Sequence, residues 1–198
     1  MKSIVASVAL LSLSLLMYPN VSSAAGFPTG RGSILIAGEF LFSSAGGDLY
    51  ETADGEGLTR IGMDPTVAYF VIHGLAVGGS LSFHSASQGD LSETVWGIGP
   101  RAMYFIGSRP RRSAKGATYP FLDVLFLYTK HSLDLGTDDW NATGTVIRFG
   151  GGVMHMVSES VGLLGEVTYS LDSEKPEDGV SESGHDINIY AGFGFFLY

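Results

Sequence analysis

The chain has 198 residues, a formal net charge of −9 and no cysteine. That combination excludes a disulfide framework, a thiolate metal site and a cysteine-anchored lipoprotein, and it argues against nucleic acid as a partner. Twenty-eight glycines, twelve phenylalanines and nine tyrosines, with only 16% charged residues, point to one all-β domain rich in aromatics rather than to disorder.

Residues 1–25 read as a secretory signal peptide. Lys2 gives the positive start, Ile4 to Met17 the short apolar core, and Ser22, Ser23, Ala24 and Ala25 the small-residue cleavage site. The apolar run falls short of the roughly 20 residues a spanning helix needs. Residues 26–198 then form a single β-barrel domain.

From Phe27 onward no stretch keeps apolar residues at helical spacing, whereas strict alternation recurs. "GSILIAGEFLF" sets Ile34, Ile36, Phe40 and Phe42 against Ser33, Ala37 and Glu39. "TRIGMDPTVAYFVI" sets Ile61, Met63, Val67 and Tyr69 against Arg60, Asp64 and Thr66. "LAVGGSLSFHS" sets Val77, Leu81 and Phe83 against Ser80, Ser82 and His84, and "TVWGIGPRAMYFI" sets Trp96, Ile98 and Tyr104 against Gly97 and Arg101. "YPFLDVLFLYTK" is apolar nearly all round, with Leu122, Val124, Phe126 and Tyr128 opposite Phe121, Asp123 and Leu125. "TGTVIRFGGGVMHM" opposes Ile147, Phe149 and Val153 to Arg148, and "VGLLGEVTYSL" opposes Leu163, Val167 and Tyr169 to Glu166 and Thr168. With the terminal "INIYAGFGFFLY" these make eight strands, each on the order of ten residues, the length a tilted strand needs to cross a bilayer.

Alternation alone does not separate a membrane barrel from a soluble lipocalin-like ligand-binding barrel in the periplasm. Charge placement does. Of the twenty acidic residues, fifteen lie in four segments, 48–56, 90–93, 134–139 and 172–186. The strands between carry few charges, and Glu39, Asp64, Arg101, Asp123, Arg148 and Glu166 all fall on the phase opposite the lipophilic side chains. Buried charge is tolerated only when paired or solvated, so these six are expected to meet inside the barrel as a mixed-sign network. The fold class is therefore an all-β, eight-stranded antiparallel up-and-down transmembrane barrel. The acidic segments 44–58, 86–93, 131–142 and 172–186 are its outer loops, and the turns near His73 and Ser158 lie on the periplasmic side with both termini. Gly107 to Ala117, with Arg109, Arg111, Arg112 and Lys115, is a long basic turn on that same side. It reads either as a solvated flexible turn or as a contact to anionic headgroups or periplasmic polymers.

In lipid every backbone polar group must be paired, so the last strand is expected to close on the first. "YAGFGFFLY" resembles the C-terminal signature of bacterial outer-membrane proteins, with Phe193, Phe195, Leu197 and Tyr198 as the expected assembly signal. Ile187, Ile189, Phe193, Phe195 and Leu197 form the better lipid face. The alternative register puts Tyr190, Phe196 and Tyr198 outward, because one residue of slip exchanges the faces. "PTVAYFVIHGLAVGGSLSF" resembles the second hairpin of small outer-membrane barrels of the OmpX and OmpA type, and "GIGPRAMYF" is similar to their fourth strand. The resemblance implies the outer membrane of a Gram-negative bacterium, and outer-membrane lipid, lipopolysaccharide and the barrel assembly machinery as partners of a monomer.

A barrel of eight strands has an interior just wide enough to be filled by side chains, so a substantial pore is not expected. The five histidines lack metal spacing and the glycine-rich stretches lack a phosphate-binding pattern, so no cofactor or metal and no enzyme activity are expected. A non-enzymatic structural or surface-interaction role in the envelope follows. The enzymatic alternative is a lipid A-modifying hydrolase using His84 and Ser87 in "FHSASQG", although His84 lies on the inward phase and the spacing departs from that family's pattern.

Overall fold

A computed structural model describes residues 26–45, 58–88, 91–108, 113–134, 139–176 and 182–198. The expected signal peptide lies outside them. Eight strands run in chain order: β1 (Ile34–Ala45), β2 (Leu58–Ile72), β3 (Leu75–Gln88), β4 (Leu91–Phe105), β5 (Thr118–Asp134), β6 (Asp139–Met156), β7 (Val161–Pro176) and β8 (Glu182–Leu197). Each pairs antiparallel with its chain neighbour, and β8 pairs with β1 to close the barrel. The closing seam runs from Ile34 opposite Leu197 to Phe40 opposite Ala191.

Period-two alternation decides the faces. On β5, Leu122, Val124, Phe126 and Tyr128 are exposed on the outer wall, while Phe121, Asp123, Leu125 and Leu127 are buried in the lumen. The same division holds on β8, where Ile187, Ile189, Phe193, Phe195 and Leu197 face out and Tyr190 and Phe196 are buried. The first of the two registers is thus the one adopted. In water such an exterior would be an aggregation surface far beyond the few hundred Å² tolerated on soluble monomers. Against lipid tails it is solvated.

The strands are longer than a membrane requires. β6 alone has 18 residues, roughly 60 Å of strand at about 3.3 Å per residue. Segments expected as outer loops are accordingly in part strand: Glu93 pairs with Leu133, Glu174 with Glu182, and Asp186 with Ser170. The ladder continues past the lipid boundary, where acidic side chains meet water without disturbing backbone pairing.

The lumen is layered. At the end that holds both termini it is an apolar plug of Leu35, Phe70, Met103, Phe105, Tyr119, Phe121, Met154, Met156, Leu164 and Phe196. Phe70, Phe105 and Phe196 form a ring cluster with centroids 5.6 to 6.3 Å apart. The N-terminal residues 26–33 fold under this plug. Gly32 N–H donates to the Phe70 carbonyl and Gly74 N–H to that of Thr29, both at 2.9 Å, and the Phe27 ring packs tilted against His73. Gly74 sits at φ 77°, a left-handed conformation that closes the β2–β3 turn and suits glycine.

The basic turn is not a loose solvated loop in its described part. Ala114 and Ala117 are buried, and Gly116 N–H donates to the Met156 carbonyl at 2.7 Å. Glu159, in the β6–β7 turn, accepts from Ser113 Oγ and from Ala114 N–H. Arg109, Arg111 and Arg112 lie outside the described residues. The turn is held because alanines at 114 and 117 are small enough to tuck beneath the barrel mouth.

Candidate functional site: a charged lumen and an acidic mouth

Above the apolar plug, Arg101 on β4 is fully enclosed, with side-chain exposure of 0%. Its Nη1 donates to Glu39 at 2.8 Å, its Nη2 to Glu166 Oε2 at 2.8 Å and its Nε to Asp123 Oδ2 at 2.6 Å. One guanidinium thus ties β1, β4, β5 and β7 together. Thr66 adds a weaker contact at 3.3 Å to Arg101 Nη1.

Arg148 and Asp64 form a second centre on β6 and β2. Asp64 Oδ1 also accepts from Ser82 Oγ at 2.6 Å and His84 Nε2 at 3.0 Å, and the Arg148 guanidinium lies 5.0 Å from the centroid of the Tyr190 ring. The six charged residues of the alternation therefore fall into a group of four around Arg101 and a pair, Asp64 with Arg148. Four carboxylates face two guanidiniums, and the surplus is reflected in geometry. Asp123 Oδ1 and Glu166 Oε1 have no hydrogen-bond partner among the described residues. Both press against Gly150, where a Cβ would lie 1.9 and 2.0 Å from them.

Nearer the outer end, His131 Nδ1 lies 3.3 Å from Glu93 and 3.5 Å from Glu174, joining β4, β5 and β7 across the mouth. Among the described residues no group of three or more histidine or acidic side chains could hold a metal ion. His84 points into the lumen toward Asp64, whereas Ser87 is exposed on the opposite phase of the same strand. The fold does not bring that pair together as a nucleophile and base. Phe193, Phe195 and Leu197 are on the outer wall, and the hydroxyl of Tyr198 donates to the Glu159 carbonyl at 3.0 Å.

Sequence reasoning missed the partners that have no charge, Thr66, Ser82 and Tyr190, and the gathering of inward apolar side chains such as Phe121 and Phe196 into one plug. A signal for the plug was present: Phe70, Phe105, Phe121 and Phe196 all sit on the phase that carries Arg101 and Glu166 higher in the barrel.

No family model matches the chain, and no curated protein matches it. Solved structures do. Neisserial surface protein A (NspA) superposes with a TM-score of 0.59 at 17% identity, covering 83% of this chain and 97% of its own. The fold is that of an eight-stranded outer-membrane β-barrel. OprG from Pseudomonas aeruginosa matches at 13% identity over 88% of this chain and all of its own, with a TM-score of 0.49. The N-terminal barrel domain of OprF from the same organism has the same TM-score and 13% identity, over 85% of this chain and 99% of its own.

Proposed function

We propose that this protein is a non-enzymatic structural or surface-interaction barrel of the Gram-negative outer membrane, presenting acidic strand extensions to the outside. The observation that carries the reading is the pairing of a lipophilic outer wall with a lumen that is filled. Val124 and Leu125 are neighbours in sequence, yet one is 42% exposed on the outer wall and the other fully buried. Arg101 and the aromatic plug occupy the space a solute would need. A closed sheet that satisfies its own backbone suits a bilayer. Opposite-phase placement of His84 and Ser87 speaks against the hydrolase reading.

The experiment is membrane fractionation with gel electrophoresis of heated and unheated samples, followed by protease treatment of intact cells. The reading expects an outer-membrane protein whose mobility shifts on heating and which is cut only beyond the outer strand ends. A soluble periplasmic protein with no heat-dependent shift would overturn it.

A further inference from the structure

The outer wall changes character over one sector. The row formed by Phe126, Ile147 and Leu171 is greasy and ends at His185. One step outward, the row is Tyr128, Thr145, Ser173 and Ser183, and the next is Trp96, Lys130, Thr143 and Lys175. Aromatic side chains such as Trp96 and Tyr128 mark the headgroup level in membrane barrels. Lys130 and Lys175 therefore stand where lipid phosphates lie, exposed, on the outward phase, and both opposite the same residue, Thr143. Two strand spacings separate their backbones by about 10 Å.

These two cations have no rival nearby. The segments 46–57, 89–90, 135–138 and 177–181 contain no lysine or arginine, and Arg60, at the outer end of β2, lies on the lumen phase beside Glu93. Neither lysine forms an ion pair among the described residues, whose ion pairs lie in the lumen and at its mouth. Between and beside them the wall is hollowed. One depression of about 410 Å³ is lined by Thr145, Ile147, Leu171, Ser173, Ser183 and His185, with Asp172 and Gly184 at its lumen side. A smaller one of about 180 Å³ adjoins Tyr128, Thr143 and Lys175, with Glu174 at its edge.

We propose that the outward rim of β5, β6 and β7 is a binding site for the phosphorylated headgroup of an outer-leaflet glycolipid, with Lys130 and Lys175 pairing to phosphate oxygens. The hydroxyls of Thr143, Thr145 and Ser183 complement the sugar, and the greasy row below receives the acyl chains. Charge complementarity selects this occupant. Among the described residues these lysines are the cations on the outward face of an otherwise acidic outer end, so an anionic lipid is drawn to that pair.

The site rests on the outer-membrane reading. Its test uses the full chain refolded into phosphatidylcholine nanodiscs doped with bisphosphorylated lipid A, with the same lipid stripped of both phosphates, or with phosphatidylglycerol; lipid retained after detergent exchange is counted by native mass spectrometry. The wild type is expected to retain bisphosphorylated lipid A in preference to the other two. Lys130→Gln with Lys175→Gln should lower that retention on the order of tenfold, and Arg60→Gln, which removes a cation from the lumen phase, should leave it unchanged. Equal retention by the double variant, or no preference for the phosphorylated glycolipid, overturns the site while a heat-modifiable barrel still stands. A chain that neither inserts nor shows a heat-dependent shift overturns both.

Discussion

Removing the Arg101 side chain while leaving Glu39, Asp123 and Glu166 in place would strand three buried carboxylates that share one guanidinium. Breaking a buried ion pair by deleting one partner costs about 3–5 kcal/mol. Arg101→Met should therefore lower the unfolding free energy of the micelle-refolded barrel, read from urea titration, by an amount in that range. Glu166→Gln should cost much less, because it reduces a carboxylate surplus and leaves Arg101 with two acids. Equal losses for the two variants would refute this charge balance. At the end that holds both termini, hydrogen bonds from Ser113 Oγ and the Ala114 N–H hold the Glu159 carboxyl below its ordinary value of 4.5. A depressed folded-state pKa means that the docking is full above about pH 4.5 and is lost as the pH falls through the lower folded value. Glu159→Gln should mimic that loss at neutral pH, read as faster tryptic cleavage after Lys115. Single charges were legible in the sequence at this scale because the phase of an alternating strand assigns each one a side. How they divide, three carboxylates around Arg101 and Asp64 alone with Arg148, was not, since strand stagger around the barrel decides which heights coincide.

The elements meet at seams whose tolerance differs sharply. At Gly192 on β8 a Cβ would come within 2.1 Å of the Gly38 carbonyl oxygen on β1, a backbone atom that has nowhere to move. Gly192→Ala should reduce the yield of the compact, heat-modifiable form severalfold by obstructing closure. Gly165→Ala is the matched control, because a Cβ there meets nothing within 4 Å, and its yield should equal wild type. The existence of all eight strands was legible from alternation, and so was the closing role of "YAGFGFFLY". Their outer ends were not. Acidic residues such as Glu93, Asp172 and Glu174 look like loop composition, yet a ladder already nucleated in the membrane extends through them because its hydrogen bonds are independent of side-chain charge.

Across the whole molecule the barrel is greasy outside, plugged with aromatics at the end that holds both termini and braced by charge above. An interior filled to that degree predicts no sustained ion conductance after reconstitution into planar bilayers, and a stable open channel would contradict the packing of Phe70, Phe105, Phe121 and Phe196. The plug was not legible as a unit because alternation gives Phe121 and Phe196 an inward side but no height, and strand stagger decides which inward side chains meet at one end as an ordinary hydrophobic core. The absence of native cysteine makes the decisive measurement clean. Nitroxide labels are placed singly at Val124→Cys, Phe149→Cys, Val167→Cys and Thr168→Cys in the bilayer-reconstituted protein. Collision with oxygen, which concentrates in lipid, is then compared with collision with a water-soluble nickel chelate. The account predicts that labels at 124, 149 and 167 relax with oxygen and not with nickel, and that the label at 168 responds weakly to both. Strong nickel accessibility at 124, 149 and 167 would contradict it.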